Sequence, residues 1–168
     1  SLLLLPFTDS GLQQIYYSAD SGGSGGYGYF YVYDAAPETP RALFDFEAFG
    51  EEHPYTAEYR DNYRVLVTNG SESGYLDLSL RDKEYLDGLY RADGTLKEPV
   101  RAEVGGVNAA FPYYNRTQGV WQLMIWMPVT GLYQADALGG IQFLAAVTKT
   151  GTEPYFTVLG GYFQSRKQ

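Results

Sequence analysis

Tyr27-Gly28-Tyr29-Phe30-Tyr31-Val32-Tyr33 is the stretch of sequence that decides the fold class. Aromatic and β-branched residues fill it, and these residue types favour the pleated surface of a β-sheet. Its tyrosines recur at every second position, which is the side-chain period of a strand. The alternation therefore predicts a strand with one face of Tyr27, Tyr29, Tyr31 and Tyr33 and an opposite face of Gly28, Phe30 and Val32.

The flanking sequence places this strand in a three-stranded antiparallel meander that runs from Gly11 to Phe46. Residues 12–19 are rich in strand-forming residues, and the glycine-rich residues 20–26 predict a flexible turn. Residues 34–40 contain two prolines and interrupt the chain, after which residues 41–46 return as the third strand.

A second meander is predicted from Gly119 to Phe163. Val120–Met127 is apolar on both faces and predicts a central strand that ends at Pro128. The following segments are a crossing loop at 131–138, a strand at 140–149 and a last strand at 155–163. Because Gly11-Leu12-Gln13-Gln14-Ile15-Tyr16 matches Gly119-Val120-Trp121-Gln122-Leu123-Met124 in pattern, we predict a weak internal repeat of residues 7–46 and 115–163.

Between the two meanders, residues 63–94 predict a hairpin followed by one short helix. The hairpin strands are 63–68 and 74–80, and the helix spans 82–90, where Asp82 can cap its start. Residues 47–54 are predicted to be a connector without regular structure. The fold class is thus all-β, with blade-like meanders that pack as an incomplete propeller, a sandwich or a distorted barrel.

Composition bounds the function. The chain has 168 residues, a length that favours one domain, and it carries 17 Tyr, 9 Phe and no Cys. The absence of cysteine excludes disulfides, thiolate catalysis and Cys-ligated zinc. A formal net charge of −8 disfavours nucleic acid as a partner.

The N-terminal segment Leu2-Leu3-Leu4-Leu5 has two interpretations. It is a buried first strand, or it is the end of a signal-peptide core, and Pro6 keeps it far shorter than a transmembrane span. The chain starts without Met, which favours a processed or truncated form. We expect no transmembrane segment, and an extracytoplasmic protein that is secreted or lipid-anchored.

Several motifs resemble the exported Firmicute proteins built from FG-GAP/VCBS-type repeats, which form β-propeller blades. The similar stretches are Asp9–Ile15 with the glycine-rich turn 21–26, then 63–68, 85–90, 93–100 and 131–139. The resemblance implies an exported, propeller-like binding protein. Such blades can hold Ca²⁺ with several carboxylate and amide oxygens. Here only Asp9 remains in the first copy, and Gln14 and Gln122 stand where the resemblance implies an acidic residue, so we predict no metal site and no cofactor.

No catalytic motif stands out. His53 follows two glutamates in the predicted connector, a position that favours a solvated loop histidine. The glycine-rich residues 22–26 join two strands and do not begin a helix, so they are not expected to bind phosphate. Asp20, Asp87, Asp93 and Asp136 favour turn or capping roles. A carboxylate pair has no fixed spacing in sequence, so a divergent glycoside-hydrolase-like enzyme remains the alternative function.

The tyrosine face is the candidate ligand-binding surface. Four rings on one pleated surface form an amphipathic platform that suits sugar stacking or protein contacts. They also suit a cross-strand aromatic ladder that packs under a neighbouring sheet with its hydroxyls reaching water, and we favour this interpretation. We expect both Trp121 and Trp126 to pack in the core. The sequence predicts a non-enzymatic binding or structural module of the bacterial cell envelope, with a protein or glycan partner and an undetermined oligomeric state.

Overall fold

The computed structural model describes residues 1–23, 26–36 and 38–161. Antiparallel strands dominate these residues, so the all-β fold class is confirmed. The strands are β1 (Leu2–Leu5), β2 (Gln14–Asp20), β3 (Gly28–Asp34), β4 (Arg41–Asp45), β5 (Thr56–Arg60), β6 (Arg64–Thr68), β7 (Ser73–Asp77), β8 (Arg101–Val104), β9 (Ala109–Asn115), β10 (Val120–Thr130), β11 (Ala137–Val147) and β12 (Thr152–Gly161). The helices are α1 (Phe46–Glu52) and α2 (Lys83–Leu89).

The strands form two sheets. A four-stranded sheet has the order β1-β2-β3-β4, which confirms the first predicted meander and adds β1 to its edge. The larger sheet has the order β12-β11-β10-β8-β5-β6-β7, and β9 pairs with β10 beside this path. The predicted hairpin is confirmed as β6 and β7, which pair from Arg64↔Asp77 to Thr68↔Ser73.

The chain divides into two compact units. Unit 1 comprises Ser1–Glu52, Gly106–Met127 and Gln142–Val158, and unit 2 comprises His53–Gly105, Pro128–Ile141 and the residues from Leu159 onward. The three long strands β10, β11 and β12 supply residues to both units. The prediction of one domain with an internal repeat stays a prediction.

In unit 1, the four-stranded sheet buries one face. Tyr16, Val32 and Phe44 lie opposite one another in neighbouring strands and are all buried. The Tyr16 hydroxyl donates to the carbonyl of Ala110 in β9 at 2.7 Å, and Phe49 meets Phe143 of β11 edge to face at 5.3 Å. These contacts place the core of unit 1 between the four-stranded sheet and its part of the larger sheet.

In unit 2, the hairpin strands and their neighbours enclose a second core. Val65, Val67 and Leu76 are buried on one face of β6 and β7. A side chain at Gly74 of β7 would overlap Leu159 of β12, so the strands at the two ends of the sheet order approach each other here. Because a barrel-like sheet leaves few unpaired edges, this approach limits the exposed strand edge of unit 2.

Helix α2 confirms the predicted short helix. The Asp82 carboxylate accepts a hydrogen bond from the amide of Tyr85 at 2.8 Å, which is the predicted N-cap. Leu89 and Tyr90 are buried, while Tyr85 and Leu86 are half-buried. The apolar face that the sequence indicates therefore packs inward.

Two local predictions, for the connector and for the end of a long strand, are wrong. The connector at 47–54 largely forms α1, because the Asp45 carboxylate accepts from the amides of Glu47 and Ala48 and caps the helix. The long strand β10 does not end at Pro128 but continues to Thr130. Proline has no N–H to donate to a neighbouring strand. Pro128 lies between the residues that pair with β9 and those that pair with β8, so the strand can continue through it.

The leucine run at 2–5 is a strand, as one interpretation predicted, but it is not buried. It pairs with β2 from Leu2↔Tyr17 to Leu5↔Gln14 and lies at the edge of the sheet order. Leu2 is 66% exposed and Leu4 is 54% exposed. An edge strand has a neighbour on one side, which leaves these side chains uncovered by the described chain.

Some predicted features fall outside the described residues. They are Ser24 and Gly25 of the glycine-rich turn, Pro37 of the interrupting segment and the end of the last strand at Phe163. Within the part of the chain that the structure describes, neither helix has the length and apolar character needed to cross a membrane.

Candidate functional site

The predicted tyrosine face lies on the outside of the four-stranded sheet. Gly28, Phe30 and Val32 of β3 are buried, whereas Tyr29 on the other face is 46% exposed and Tyr31 and Tyr33 are half-buried. Tyr27 precedes the strand and is also exposed. The predicted alternation of the two faces of β3 is therefore correct. The described chain leaves Tyr29 uncovered, and the ligand-binding role of this face stays a prediction.

The strand register adds a residue to this face that the sequence did not indicate. Tyr17 of β2 lies directly opposite Tyr31 of β3, and residues that pair across an antiparallel ladder point to the same side of the sheet. Tyr17 is 39% exposed. We define the outer aromatic face by five rings from β2, β3 and α1: Tyr17, Tyr29, Tyr31, Tyr33 and Phe46.

The rings of the outer aromatic face contact one another. Tyr31 stacks on Tyr33 with ring centroids 5.6 Å apart and on Tyr17 at 6.4 Å, with interplanar angles of 26° and 27°. Phe46 meets Tyr29 and Tyr31 edge to face at 5.9 Å and 5.6 Å. Offset stacks and T-shaped contacts are favourable aromatic geometries, so the rings hold one another in place before any ligand arrives.

The hydroxyl groups of this face are available for hydrogen bonding. Among the described residues, the Tyr17, Tyr29, Tyr31 and Tyr33 hydroxyls make no hydrogen bond. Asp45 is paired with Tyr31 across β3 and β4, and Glu47 follows in α1. Burial raises the pKa of Tyr31, and the negative charges of Asp45 and Glu47 raise it further. The face thus combines flat apolar surface with free polar groups and nearby carboxylates.

A different tyrosine cluster lies inside unit 2, around the carboxylate of Asp136. The Tyr85 hydroxyl donates to Asp136 Oδ2 at 2.7 Å, and the Tyr59 and Tyr85 hydroxyls are 2.6 Å apart. Arg81 Nη1 lies 3.2 Å from Asp136 Oδ1, and the amide of Leu132 donates to Oδ2 at 2.9 Å. We call these five residues the Asp136 network.

The carboxylate at the centre of the Asp136 network is buried, whereas Arg81 and Tyr85 are half-buried and Leu132 is exposed. The Asp136 side chain is 1% exposed, and the Arg81 guanidinium also lies over the Tyr85 ring at 5.1 Å. Burial raises the pKa of Tyr59 to about 12 and raises the pKa of Tyr85, where the bonds to Tyr59 and Asp136 add to the effect. The hydrogen bonds and the ion pair of this buried carboxylate hold the loop between β10 and β11 against α2. This arrangement refines the turn role that the sequence indicated for Asp136.

Two buried glutamines organise turns in unit 1. Gln14 Oε1 accepts from the amides of Phe7 and Thr8 at 2.9 Å and 3.2 Å, and its Nε2 donates to the carbonyl of Leu12. Gln122 Nε2 donates to Gln118 Oε1 at 2.8 Å. Each glutamine therefore ties the start of its strand to the turn before it.

Gln122 also gathers aromatic hydroxyls. Its Oε1 accepts from the Tyr113 hydroxyl at 2.5 Å, from the Tyr155 hydroxyl at 2.7 Å and from Asn115 Nδ2 at 3.0 Å. Burial, followed by the bond to Tyr155, raises the pKa of Tyr113 to about 12. These donors satisfy the hydrogen-bonding capacity of the glutamine oxygen. Because they come from β9 and β12, the cluster links both strands to β10.

The remaining predicted polar residues occupy separate places. His53 is half-buried at the bend after α1. Asp93 accepts from the amide and hydroxyl of Thr95 in a turn, and Asp87 pairs with Lys83 on α2. Asp20 ends β2 and is exposed. Asp93 thus has the predicted turn role, whereas Asp87 forms an ion pair within α2 and His53 is not a fully solvated loop residue.

The candidate calcium residue Asp9 forms an ion pair. Its Oδ1 lies 2.8 Å from Lys149 Nζ, and this hydrogen bond lowers the pKa of Asp9. Among the described residues, no group of three or more His, Asp or Glu side chains is arranged to hold a metal ion. That the chain binds no metal stays a prediction.

The tryptophans do not lie in the core. Trp121 and Trp126 are both half-buried, and the Trp121 ring packs on Tyr114 with centroids 5.5 Å apart. Trp121 also lines a groove of about 500 Å³ with Gln118 and Lys149. The expectation of core packing for both tryptophans is therefore wrong.

A groove of unit 2 brings three carboxylates together. Glu58, Asp61 and Glu98 line a cavity of about 520 Å³ between β5 and the segment before β8. Two of them already have partners, since Glu58 pairs with Arg60 and Asp61 accepts from the amide of Leu96. Sequence reasoning did not identify this groove, because the residues come from segments about 40 positions apart.

Comparison with known proteins places the chain among its relatives. A model of the family described as "YybI C-terminal domain" matches residues 53–158. The Bacillus subtilis (strain 168) protein described as "Uncharacterized protein YybI" is 31% identical over 144 residues, which cover 84% of this chain. The matched region covers 55% of that relative. No solved structure matches the chain.

The family match begins at His53, directly after α1. The four-stranded sheet with the outer aromatic face therefore precedes the matched region, whereas the Asp136 network and the carboxylate groove lie within it. The similarity to FG-GAP/VCBS-type repeats stays a prediction from short motifs. Since the match spans 106 of 168 residues, the chain belongs to the YybI C-terminal domain family.

Proposed function

We propose that this chain is a non-enzymatic binding module whose ligand sits on the outer aromatic face. The observation that supports it is the arrangement of pre-packed tyrosine rings whose surfaces are partly exposed and whose hydroxyls make no hydrogen bond to the described residues. Rigid tyrosines supply contact area at a low cost in conformational entropy, which is why they are common in binding surfaces. The partner is a protein or a glycan.

The surroundings of the face also support a binding role. Tyrosines that point into the chain elsewhere reach hydrogen-bond partners, as the buried Tyr16 does with Ala110 and the half-buried Tyr85 does with Asp136. The outer tyrosines lack such partners among the described residues. An aromatic surface with unused donors and acceptors is suited to a partner that brings its own polar groups.

We place the protein outside the cytoplasm, at the cell envelope, as part of the same proposal. The support is the resemblance of its short motifs to exported repeat proteins. Fractionation of cells that carry an epitope-tagged full-length version tests it: the tag is expected in the envelope or secreted fraction, and recovery with a cytosolic marker enzyme would refute the location.

The binding role is tested with matched tyrosine variants. Neutral β-linked glucose and N-acetylglucosamine oligomers and a library of short peptides serve as probes. The double variant Tyr17→Ser/Tyr29→Ser alters the outer aromatic face, and the control Tyr75→Ser/Tyr133→Ser alters two similarly exposed tyrosines of unit 2. We expect binding to at least one probe, lost in the first variant and kept in the control. Equal behaviour of the two variants would refute the proposal.

A hydrolase that uses a carboxylate pair is the second candidate, and the groove lined by Glu58, Asp61 and Glu98 favours it. A glycosidase needs one carboxyl group as acid and another as base or nucleophile. Release of chromophore from nitrophenyl glycosides tests this candidate. Activity that Glu98→Gln abolishes would favour the hydrolase over the binding module, and inactivity of the wild-type chain on the whole panel is what the binding role predicts.

A further inference from the structure

We infer that the partner of the outer aromatic face is a positively charged polypeptide segment that carries apolar residues beside its Lys or Arg side chains. The inference rests on the proposed binding role and names the chemistry of the ligand. It follows from the distribution of charge, from the contacts of the rings and from the leucines next to them.

The negative charge of the chain is concentrated in the segment of sequence that forms this sheet. Residues 1–52 hold eight Asp or Glu residues and one basic side chain, Arg41, which is a net charge of −7. The other 116 residues hold twelve acidic and eleven basic residues, which is a net charge of −1. Nearly all of the net charge of −8 thus belongs to the segment that presents the outer aromatic face.

The carboxylates lie close enough to act at the face itself. Asp45 is paired with Tyr31 in the ladder, and the Asp45 and Glu47 charges both act on the Tyr31 hydroxyl. Arg41 lies 3.8 Å from Asp34, so this basic residue already faces a carboxylate. A cation placed over these rings would meet aromatic faces beside the carboxylates of Asp45 and Glu47, neither of which forms an ion pair among the described residues.

Exposed leucines extend the face on its far side. Leu2 is paired with Tyr17 and Leu4 with Ile15, so the β1 side chains continue the same surface of the sheet. The face thus has exposed leucines at its β1 edge and the carboxylate of Asp45 at its β4 edge. Polypeptides carry apolar and cationic side chains together, whereas sugars present few groups that match an exposed leucine. The combination therefore favours a polypeptide over a glycan.

Designed peptides test the inference directly. The probe is a capped peptide of alternating Arg and Leu of about eight residues, which spans about 26 Å when extended and crosses four strands that lie about 4.8 Å apart. Two companions isolate its features: alternating Glu and Leu reverses the charge, and alternating Arg and Ser removes the apolar side chains. Fluorescence anisotropy at about 50 mM and about 300 mM NaCl measures affinity under weak and strong screening.

Charge variants with a matched control locate the effect. Asp45→Asn/Glu47→Gln removes two charges and keeps the helix cap, because Asn caps a helix as Asp does. Glu84→Gln/Glu103→Gln removes two charges from exposed positions of unit 2. We expect the Arg-Leu peptide to bind about tenfold more tightly than either companion, and about fivefold more weakly to the first variant at low salt. The control should bind like the wild type.

The outcomes separate this inference from the proposed function. Equal affinity for the Arg-Leu and Glu-Leu peptides, or equal losses in the two charge variants, would overturn the inference. Binding of a neutral glycan that depends on Tyr17 and Tyr29, without peptide binding, would also overturn it while the binding role survives. If Tyr17→Ser/Tyr29→Ser binds the peptide as tightly as the wild type does, the proposed binding role of the outer aromatic face would be refuted as well.

Discussion

The outer aromatic face and the Asp136 network are both built around tyrosines, but they use them in opposite ways. In the network, the Tyr59 and Tyr85 hydroxyls bond to each other and to a buried carboxylate. On the outer face the rings touch one another while their hydroxyls have no hydrogen-bond partner in the described chain. The role of a tyrosine in this chain therefore depends on whether its hydroxyl finds a hydrogen-bond partner within the fold. The number of tyrosines in the sequence does not show this.

The comparison predicts that variants in the network lower stability, whereas variants on the outer face lower binding. The network lies in the region that matches the YybI C-terminal domain family, and the outer face precedes that region.

Removal of the central carboxylate should cause the largest loss. Asp136→Ala leaves Arg81 and the Tyr85 hydroxyl without their buried partner. Breaking a buried ion pair on one side costs about 3–5 kcal/mol. Urea unfolding should show this decrease in the free energy of unfolding, with Asp87→Ala on the exposed side of α2 as a control that changes it by less than about 0.5 kcal/mol. Equal losses in the two variants would contradict a special role for the network.

Removal of one network hydroxyl should have a smaller effect. Tyr85→Phe keeps the ring but deletes the donor to Asp136 and the contact with Tyr59. Hydrogen bonds to charged groups contribute about 1.5–3 kcal/mol, so the free energy of unfolding should fall by about that amount. Urea denaturation followed by far-ultraviolet circular dichroism measures it. A stability equal to that of the wild type would show that the hydroxyl is dispensable.

Alkaline pH should destabilise the network. Burial raises the pKa of Tyr59 to about 12 from the ordinary value of 10.0, so the unfolded chain loses this proton first as the pH rises. The stability is complete below pH 10 and falls as the pH rises through 12, because the unfolded state then binds fewer protons than the folded state. Unfolding free energies measured across this window should decline, and Tyr59→Phe should flatten the decline. An unchanged slope in Tyr59→Phe would contradict this assignment.

The smallest stability effect is expected on the outer aromatic face. Tyr29→Phe deletes a hydroxyl that has no partner among the described residues and keeps the edge-to-face contact with Phe46. Surface substitutions of this kind change the free energy of unfolding by less than about 0.5 kcal/mol. The same urea experiment should therefore place Tyr29→Phe on the wild-type curve. A loss as large as that of Tyr85→Phe would erase the distinction between the two clusters.

Much of the fold was predictable because successive side chains of a strand point to opposite faces of the sheet, so their alternation in sequence indicates which face is buried. The Tyr27–Tyr33 alternation gave the correct buried and outward sides of β3, and Asp82 gave the correct start of α2. The prediction missed α1, since its cap is the last residue of β4 and Gly50 interrupts its sequence pattern. Strands β5 and β8 were not predicted because strands of four or five residues carry weak patterns, and β9 was not predicted either.

The candidate site was predictable only in part. The tyrosines of β3 share one strand, so their common face follows from spacing alone. Tyr17, Phe46 and the β1 leucines join this face through strand pairing, and register is a property of the folded sheet. The Asp136 network depends on contacts between residues 51 positions apart, which a single sequence does not indicate.

Tyrosine footprinting tests the central distinction in one experiment. Acetylation of phenolic hydroxyls by N-acetylimidazole at neutral pH, followed by mass spectrometry, reports which tyrosine hydroxyls are free in the folded chain. We predict rapid modification of Tyr17 and Tyr29, and protection of Tyr59 and Tyr85 until the chain is unfolded in urea. Protection of Tyr17 and Tyr29 together with rapid modification of Tyr59 and Tyr85 in the folded chain would contradict the account.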